Sequence, residues 1–234
     1  MLIKKWEKLP ESMQKEAVYP YYRKLRKKNF SLFFKRLFDI FVSFIMLLIL
    51  SPVFLILAIA IKIDSRGPVF FRQTRVTQYG KTFRIFKFRT MVRDAESKGS
   101  QVTSKGDSRV TKVGRFIRKC RLDEVSQLLD VFRGTMSFVG TRPEVPKYVE
   151  HYTDEMMATL LLPAGVTSEA SIRYKDEAEI LGSAENADEA YIEKVLPGKM
   201  EYNLRSLEKQ GFFRDIGTMF KTVAAVFRKQ GKTK

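Results

Sequence analysis

The chain has few of the residues that most often carry metal-ion or nucleophilic chemistry. Its single cysteine, Cys120, excludes an internal disulfide and any cysteine-rich metal site. Its single histidine, His151, argues against a zinc centre or a histidine-based triad and reads as structural or surface. Acidic residues are outnumbered, with 26 Asp and Glu against 43 Lys and Arg, for a net charge of +17. No G-x-G-x-x-G is present, and Gly80-Lys81-Thr82 fails as a P-loop because Arg75 stands where the first glycine is required. Asp94-Ala95-Glu96 is too short a pattern to define a metal site. Catalysis, if any, falls to carboxylates and cations. The basic excess suits anionic headgroups, phosphate-bearing substrates or nucleic acid.

What the chain does have is a long apolar run, Leu37–Ile61, with Ser51-Pro52 in its middle. Lys35 and Arg36 precede it, and Lys62, Arg66, Arg72 and Arg75 follow it. Positive flanks stay on the cytoplasmic side, and here both flanks ask for the same side. Proline removes a backbone donor and clashes with the preceding turn. Each half, at about 12 residues, reaches roughly 18 Å, about one leaflet. The pattern predicts a re-entrant helix over 35–64 that enters the membrane, breaks at Ser51 and Pro52, and returns. The Ser51 hydroxyl is placed to satisfy backbone freed at the break. An ordinary kinked transmembrane helix is the alternative. The run lies too deep and is too long for a secretory signal peptide, so it is expected to be retained.

Around this element the sequence predicts an α+β chain: a mostly helical domain with a small β-hairpin and interfacial amphipathic helices. Residues 1–34 are basic and aromatic, with Trp6, Tyr19, Tyr21 and Tyr22, and read as an interfacial segment whose Arg26, Lys27 and Lys28 meet anionic lipid. A tail without fixed structure is the alternative. Residues 65–234 form the cytoplasmic domain, with no internal repeat and no long linker. PVFFRQTRV and TFRIFKFRT, separated at Gly80-Lys81, predict a hairpin or two short strands. Ala95–Asp107 reads as a loop, Val113–Lys119 as a short basic helix, and Leu122 to Phe132 as a helix ended by Gly134. Ser137–Pro143 reads as a loop, Val145–Leu162 as helical, Pro163–Thr167 as a turn and Asp176–Val195 as an acidic helix. After Gly211, Phe212, Ile216, Met219, Phe220, Val223 and Phe227 share one face of a basic amphipathic helix. That helix suits either a membrane surface or the domain core.

Asp123 and Glu124 are the candidate catalytic pair. They follow the cations Arg118, Lys119 and Arg121 and open a predicted helix, where partial positive charge keeps a carboxylate ionised and holds phosphate. Ionised aspartate can attack phosphorus, and a neighbouring carboxylate can hold Mg²⁺ against phosphate oxygens. Ordinary helix capping by Asp and Glu explains the same residues. Arg142, in Gly140-Thr141-Arg142-Pro143-Glu144, offers a planar fork for phosphate, and Lys87 and Arg89 add cations at a strand end. Each alone reads equally as a solvated charge; together with the two carboxylates they outline a diphosphate site.

In order along the chain, KRLFDIFVSFIMLLILSP, IKIDSRGPVFFRQTRV, GKTFRIFKFRTM, GRFIRKCRLDEVSQLLDVFRGTMSFVGTRPE and PAGVT resemble the bacterial sugar transferases, the monotopic phosphoglycosyl transferases. The resemblance covers Lys35 to Thr167 and, more loosely, the tail to Phe227. It implies transfer of a sugar 1-phosphate from a UDP-sugar to polyprenyl phosphate at the cytoplasmic face of the bacterial inner membrane. It implies a phosphosugar–Asp123 intermediate, release of UMP, and the start of a surface glycan or glycoconjugate. It implies Mg²⁺ held by Glu124 with Asp123, and a substrate site of Lys87, Arg89, Arg118, Arg142, Pro143 and Glu144, with Asp215 at the start of the last helix. Partners implied are cytoplasmic-leaflet lipids and downstream glycosyltransferases, with no nucleic acid, and the type implied is the minimal, single-domain one. Three features depart from the pattern: Val76-Thr77 replaces a glycine, Thr141 replaces the first proline of a Pro-Arg-Pro triplet, and VTSEASIRYKDEAEIL follows Gly165. The competing reading is a non-enzymatic, membrane-anchored module whose basic surface binds anionic lipid or nucleic acid. A single-pass enzyme of the same chemistry is a third.

Overall fold

A computed structural model describes residues 2–95, 107–174 and 186–227. The elements in chain order are helix α1 (Tyr19–Arg26), the long helix α2 (Asn29–Asp64), strands β1 (Phe70–Val76) and β2 (Thr82–Phe88), helices α3 (Lys112–Lys119) and α4 (Leu128–Arg133), and strand β3 (Met136–Val139). There follow α5 (Pro146–Val149), β4 (Ala164–Thr167), α6 (Glu169–Arg173), α7 (Ala187–Ala190), α8 (Leu196–Glu208) and α9 (Phe212–Phe227). Short 3₁₀ segments at Leu122–Gln127 and Met156–Leu161 and a π-helical turn at Tyr191–Val195 link them. The chain is mostly helical with two small sheets.

Helix α2 is 36 residues long, about 54 Å at 1.5 Å per residue, and starts before the predicted Lys35. It is the one helix among the described residues long and apolar enough to cross a membrane by length and composition. Helical structure runs through Pro52 rather than dividing there. Pro52 has no N–H for the Leu48 carbonyl, and the Ser51 hydroxyl donates to that carbonyl instead, at 2.8 Å. One face of α2 packs on the domain. Val42, Met46, Leu47 and Leu50 meet α4 and β3, and Val53, Phe54, Leu57 and Ile61 meet β2 and α3. The other face is apolar and exposed in both halves, from Phe30, Phe41, Leu48 and Ile49 to Leu55, Ile56, Ile59 and Ile63. At half exposure each such side chain forgoes roughly 1 kcal/mol of burial, so the face strongly favours an apolar medium over water.

Residues 2–28 are a working part of the core, not a loose tail. Ile3, Leu9, Met13, Val18 and Leu25 are buried with Val76, Tyr79, Leu160, Leu161 and Leu207. Arg26 donates to the Ile3 carbonyl, Lys24 pairs with Glu208 at 2.6 Å, and Lys28 donates to the Gln210 carbonyl. The chain before α2 and the chain after it therefore share one hydrophobic core.

The predicted hairpin is present: β1 and β2 pair antiparallel, with Arg72 opposite Phe86 and Phe71 opposite Lys87. Its turn uses left-handed Tyr79 (φ 61°) and Gly80 (φ 71°). A second sheet, parallel β3–β4 with Met136 opposite Ala164, occupies segments the sequence presents as a loop and a turn. Four-residue strands carry too little alternation to announce themselves. The strands run on as Gly140 N–H donating to the Thr167 carbonyl and Gly165 N–H to the Thr141 carbonyl. A Cβ on Gly165 would lie 2.1 Å from the Gly140 nitrogen, so only glycine permits this approach. Val145–Leu162 is not one helix: α5 stops at Val149, and the chain resumes as a 3₁₀ segment whose Ala158, Thr159, Leu160 and Leu161 are all buried. The predicted loop over 96–106, the first part of the predicted acidic helix, and Arg228 and Lys229 lie outside the described residues.

Helix α9 presents its polar face inward. Asp215 and Thr218 are buried, and Thr222 shares a hydrogen bond with Thr167 at 2.7 Å, while Phe213, Phe220 and Val223 are exposed. Phe212 packs edge-on against Phe38 of α2, which puts the exposed faces of α9 and α2 side by side.

Candidate active site

Asp123 and Glu124 sit in the 3₁₀ segment Leu122–Gln127, between α3 and α4, after a left-handed Arg121 (φ 55°). The predicted helix thus begins only at Leu128, and α4 is six residues long. Side-chain cations, not a helix terminus, set the electrostatics of the pair. The segment is fixed against β2 at one residue: the Ser126 hydroxyl donates to the Phe86 carbonyl at 3.0 Å, and the Phe86 N–H donates to Asp130 at 2.8 Å. The next residue, Lys87, consequently projects toward the pair and donates to Glu124 Oε1 at 3.2 Å. Arg142 approaches Glu124 with both Nη atoms, Nη1 at 3.3 Å from Oε2 and Nη2 on Oε1, a forked contact.

These contacts separate the two carboxylates. Burial alone would raise the Glu124 carboxyl, but Arg142 and Lys87 outweigh it and hold it well below the usual range. Asp123 moves the other way, raised by burial and then by the charge of Glu124, with Lys87 and Arg118 opposing. Burial also lowers the Lys87 ammonium, against the pull of Glu124. Glu124 is the fixed anion. Asp123 is the carboxylate that no ion pair among the described residues claims.

Arg142 is held in place by its loop. Arg75 Nη1 donates to the Pro143 carbonyl at 3.1 Å while its Nε and Nη2 hold Gln73 Oε1. The Val76 N–H donates to the Glu144 carbonyl at 2.9 Å. The Glu144 carboxylate turns away from the pair. It accepts from Tyr191 Oη at 2.6 Å and from Lys199 Nζ at 3.3 Å, and Lys199 also reaches Tyr191 Oη at 2.8 Å, all buried. Lys147 and Tyr148 add a second clasp on Asp188, each at 2.6 Å. A small cleft lies beside this loop, lined by Thr141, Arg142, Pro143, Glu144 and Tyr152 among others.

The structure thus brings together Lys87, Asp123, Glu124 and Arg142, with Pro143 beside them. Arg118 stands close enough to act on Asp123 electrostatically while its Nε donates to Thr90 Oγ1 at 2.8 Å. It does not bring Arg89, Glu144 or Asp215 into this site. Arg89 closes the end of α2, donating to the carbonyls of Ile61, Ser65 and Arg66, and Gly67 (φ 132°) leaves room for its guanidinium. Asp215 pairs with Lys35 of α2 at 2.6 Å and accepts from Gln210 at 2.9 Å. It lines a neighbouring cleft with Gly140, Ser168, Asn203 and Thr218. Three residues the sequence did not single out for the site hold its parts in place: Ser126, Asp130 and Arg75. Only Arg75 left a sequence signal, alternating with Gln73 on the Lys87 face of the hairpin.

No group of three or more His, Cys, Asp or Glu side chains gathers among the described residues. Mg²⁺ bound by one or two carboxylates plus substrate phosphates needs no such group, and Asp123 with Glu124 meets that lesser demand.

The bacterial sugar transferase family model matches residues 30–229. The chain is 34% identical over 197 residues to the UDP-N-acetylgalactosamine-undecaprenyl-phosphate N-acetylgalactosaminephosphotransferase of Aeromonas hydrophila, covering 83% of this chain and 44% of that protein. It is 37% identical over 195 residues to the UDP-glucose:undecaprenyl-phosphate glucose-1-phosphate transferase of Klebsiella pneumoniae, covering 81% and 39%. It is 36% identical over 195 residues to the protein of that same name from Caulobacter vibrioides, covering 82% and 69%. The chain thus spans less than half the length of the first two relatives. The match takes in α2, the Asp123–Glu124 segment, the Arg142 loop and α9, and the chain belongs to the bacterial sugar transferase family.

Proposed function

We propose that the chain transfers a sugar 1-phosphate from a nucleoside diphosphate sugar, of the UDP-sugar class named for its relatives, to a polyprenyl phosphate such as undecaprenyl phosphate. The observation that carries this is the division of labour in the carboxylate pair. Glu124 is held by Lys87 and Arg142, and Asp123 is left beside Lys87 and Arg118 without an ion-pair partner among the described residues. Lys87, Arg118 and Arg142 offset the charge of a diphosphate, and Asp123 attacks the sugar-bearing phosphorus. The Asp123 Oδ–P bond forms, the bond from that phosphorus to the bridging oxygen breaks, and UMP departs with the electron pair. An oxygen of the lipid phosphate then attacks the same phosphorus. The Asp–P bond breaks, the carboxylate is restored, and polyprenyl diphosphate sugar is the product. Asp123 and Glu124 would hold Mg²⁺, which would supply further charge neutralisation on the diphosphate.

The same proposal places α2 as a re-entrant element on the cytoplasmic side. Supporting it, residues on both sides of α2 build one hydrophobic core, which a helix with its flanks on opposite membrane faces does not allow. The exposed apolar faces of α2 and α9 supply the surface that meets lipid. A soluble donor and a membrane-bound acceptor can then use one pocket in turn.

Nucleotide thermal shift separates this enzyme from a basic binding module. UDP with Mg²⁺ is expected to raise the melting midpoint and a random oligonucleotide to leave it unchanged. Stabilisation by the oligonucleotide alone would favour the module.

A further inference from the structure

The hairpin has a second charged face, opposite the one that serves Asp123 and Glu124. Cross-strand register puts Arg72 opposite Phe86 and Arg84 two residues from it on the same side. The Arg72 guanidinium lies 3.4 Å from the centre of the Phe86 ring, and that of Arg133, the last residue of α4, lies 4.8 Å from it. Arg72 and Arg84 cross-brace the strands, Arg72 Nε donating to the Arg84 carbonyl at 3.1 Å and Arg84 Nη2 to the Arg72 carbonyl at 3.2 Å. Two guanidiniums therefore share one aromatic plate, and a third, Arg84, is tied to the backbone beside it. Arg84 and Arg133 are exposed and Arg72 is partly so.

Among the described residues only the buried Asp130 carboxylate acts on them from nearby. None forms an ion pair with a carboxylate there, and the carboxylate that acts on Arg72 is Asp130, which is buried and committed to the Phe86 N–H and to Thr135. Burial and the neighbouring charges of Arg84 and Arg133 push the Arg72 guanidinium down, against Asp130, as expected of like charges held together.

The position of the cluster is as informative as its charge. Immediately before Arg133, Phe132 is exposed and stacks on exposed Phe44 in the first half of α2, ring centres 6.0 Å apart. Arg36 of α2 donates to the Val131 and Phe132 carbonyls at 2.7 and 3.1 Å. On the other side, Phe88 packs against Phe54 in the second half of α2 at 5.1 Å. The three arginines are bracketed by contacts to both halves of the apolar helix, at the border of its exposed face.

We propose that Arg72, Arg84 and Arg133 form a binding platform for the phosphate of an anionic membrane phospholipid, distinct from the Asp123–Glu124 site. Planar guanidiniums match phosphate oxygens, and Phe44 and Phe132 offer apolar contact to the acyl chains that hang from such a headgroup. The chain's excess of positive charge draws the same lipids. This rests on the membrane placement of α2 proposed above. It concerns how the domain is seated on the bilayer, not the transfer chemistry.

The test uses the full chain in lipid nanodiscs of phosphatidylcholine alone or with a third of the lipid replaced by phosphatidylglycerol. Phosphatidylglycerol is expected to raise the melting midpoint of the unaltered protein. Arg72→Gln/Arg84→Gln/Arg133→Gln is expected to lose more than half of that increment. Arg84→Gln alone, at an exposed position, is expected to lose a measurable part and guards against misfolding of the triple variant. Lys5→Gln/Lys81→Gln/Lys194→Gln, with the same charge removed elsewhere on the surface, is expected to keep the increment. A full increment in both arginine variants overturns the proposal. So does a triple variant whose only defect is a raised KM for polyprenyl phosphate, which would give the platform to the acceptor. Failure of the unaltered protein to enter discs of either lipid would overturn the membrane placement, and the platform with it.

Discussion

Two adjacent carboxylates behave differently because their neighbours differ. Glu124 meets Lys87 and the fork of Arg142; Asp123 meets burial and the negative charge of Glu124. A raised acid is neutral to a higher pH, so Asp123 loses its charge, and with it any nucleophilic role, as pH falls through a value above the ordinary aspartate range near 3.9. Glu124 is still ionised there, so within the pair it is Asp123 that loses charge. The rate of UMP release from a UDP-sugar in the absence of lipid acceptor is expected to fall on the acid side with an apparent pKa above that ordinary value. A rate that stays flat down to about pH 4 would remove Asp123 from the role. The sequence made this pair and its cations legible because residue type is enough to suggest the chemistry. It could not say where each side chain points. Arg89 and Glu144 lie next to site residues in the sequence, yet one caps α2 and the other faces Tyr191 and Lys199. Direction is set by contacts far along the chain, 47 and 55 residues away for Glu144, and no local pattern carries it.

Elements matter here mainly as clamps. β2 is held at Phe86 by Ser126 and Asp130, which aims Lys87, and the Arg142 loop is held at Pro143 and Glu144. Removing the Glu144 carboxylate takes a buried charged acceptor from Tyr191 Oη and Lys199 Nζ, at a cost of about 1.5–3 kcal/mol. Glu144→Ala is therefore expected to lower the melting midpoint, and Glu144→Gln, which keeps an acceptor oxygen, to lower it less. If the two variants lower it equally, the buried acceptor is not what the loop depends on. Helices α2 and α9 and the hairpin were readable from period and composition, whereas α8, which opens on Pro197 and Gly198, was not. The β3–β4 sheet was not, since four-residue strands that close on Gly140 and Gly165 look like punctuation in the sequence. The 3₁₀ segment around Asp123 was read as the start of a helix because apolar spacing from Leu122 onward fits both.

Across the whole molecule, the re-entrant placement proposed for α2 rests on what lies on either side of it. Ile3, Leu9 and Met13 pack with Leu160, Leu161 and Leu207, so residues 2–28 and the domain share one core. In the sequence the first residues showed charge and aromatics, because their apolar partners, from Val76 and Tyr79 to Leu207, lie far downstream. In a Cys120→Ser background, Glu11→Cys in intact cells is expected to resist a membrane-impermeant thiol reagent and to react once the membrane is opened. Reaction in intact cells would put the first residues outside and favour a single crossing. The central claim, covalent transfer through Asp123, is tested most directly by intact-protein mass after incubation with Mg²⁺ and a panel of UDP-sugars without lipid acceptor, beside Asp123→Asn. The account predicts a sugar-phosphate adduct on the unaltered protein alone, discharged when polyprenyl phosphate is added. UMP release with no adduct, or an adduct that persists in Asp123→Asn, would contradict it.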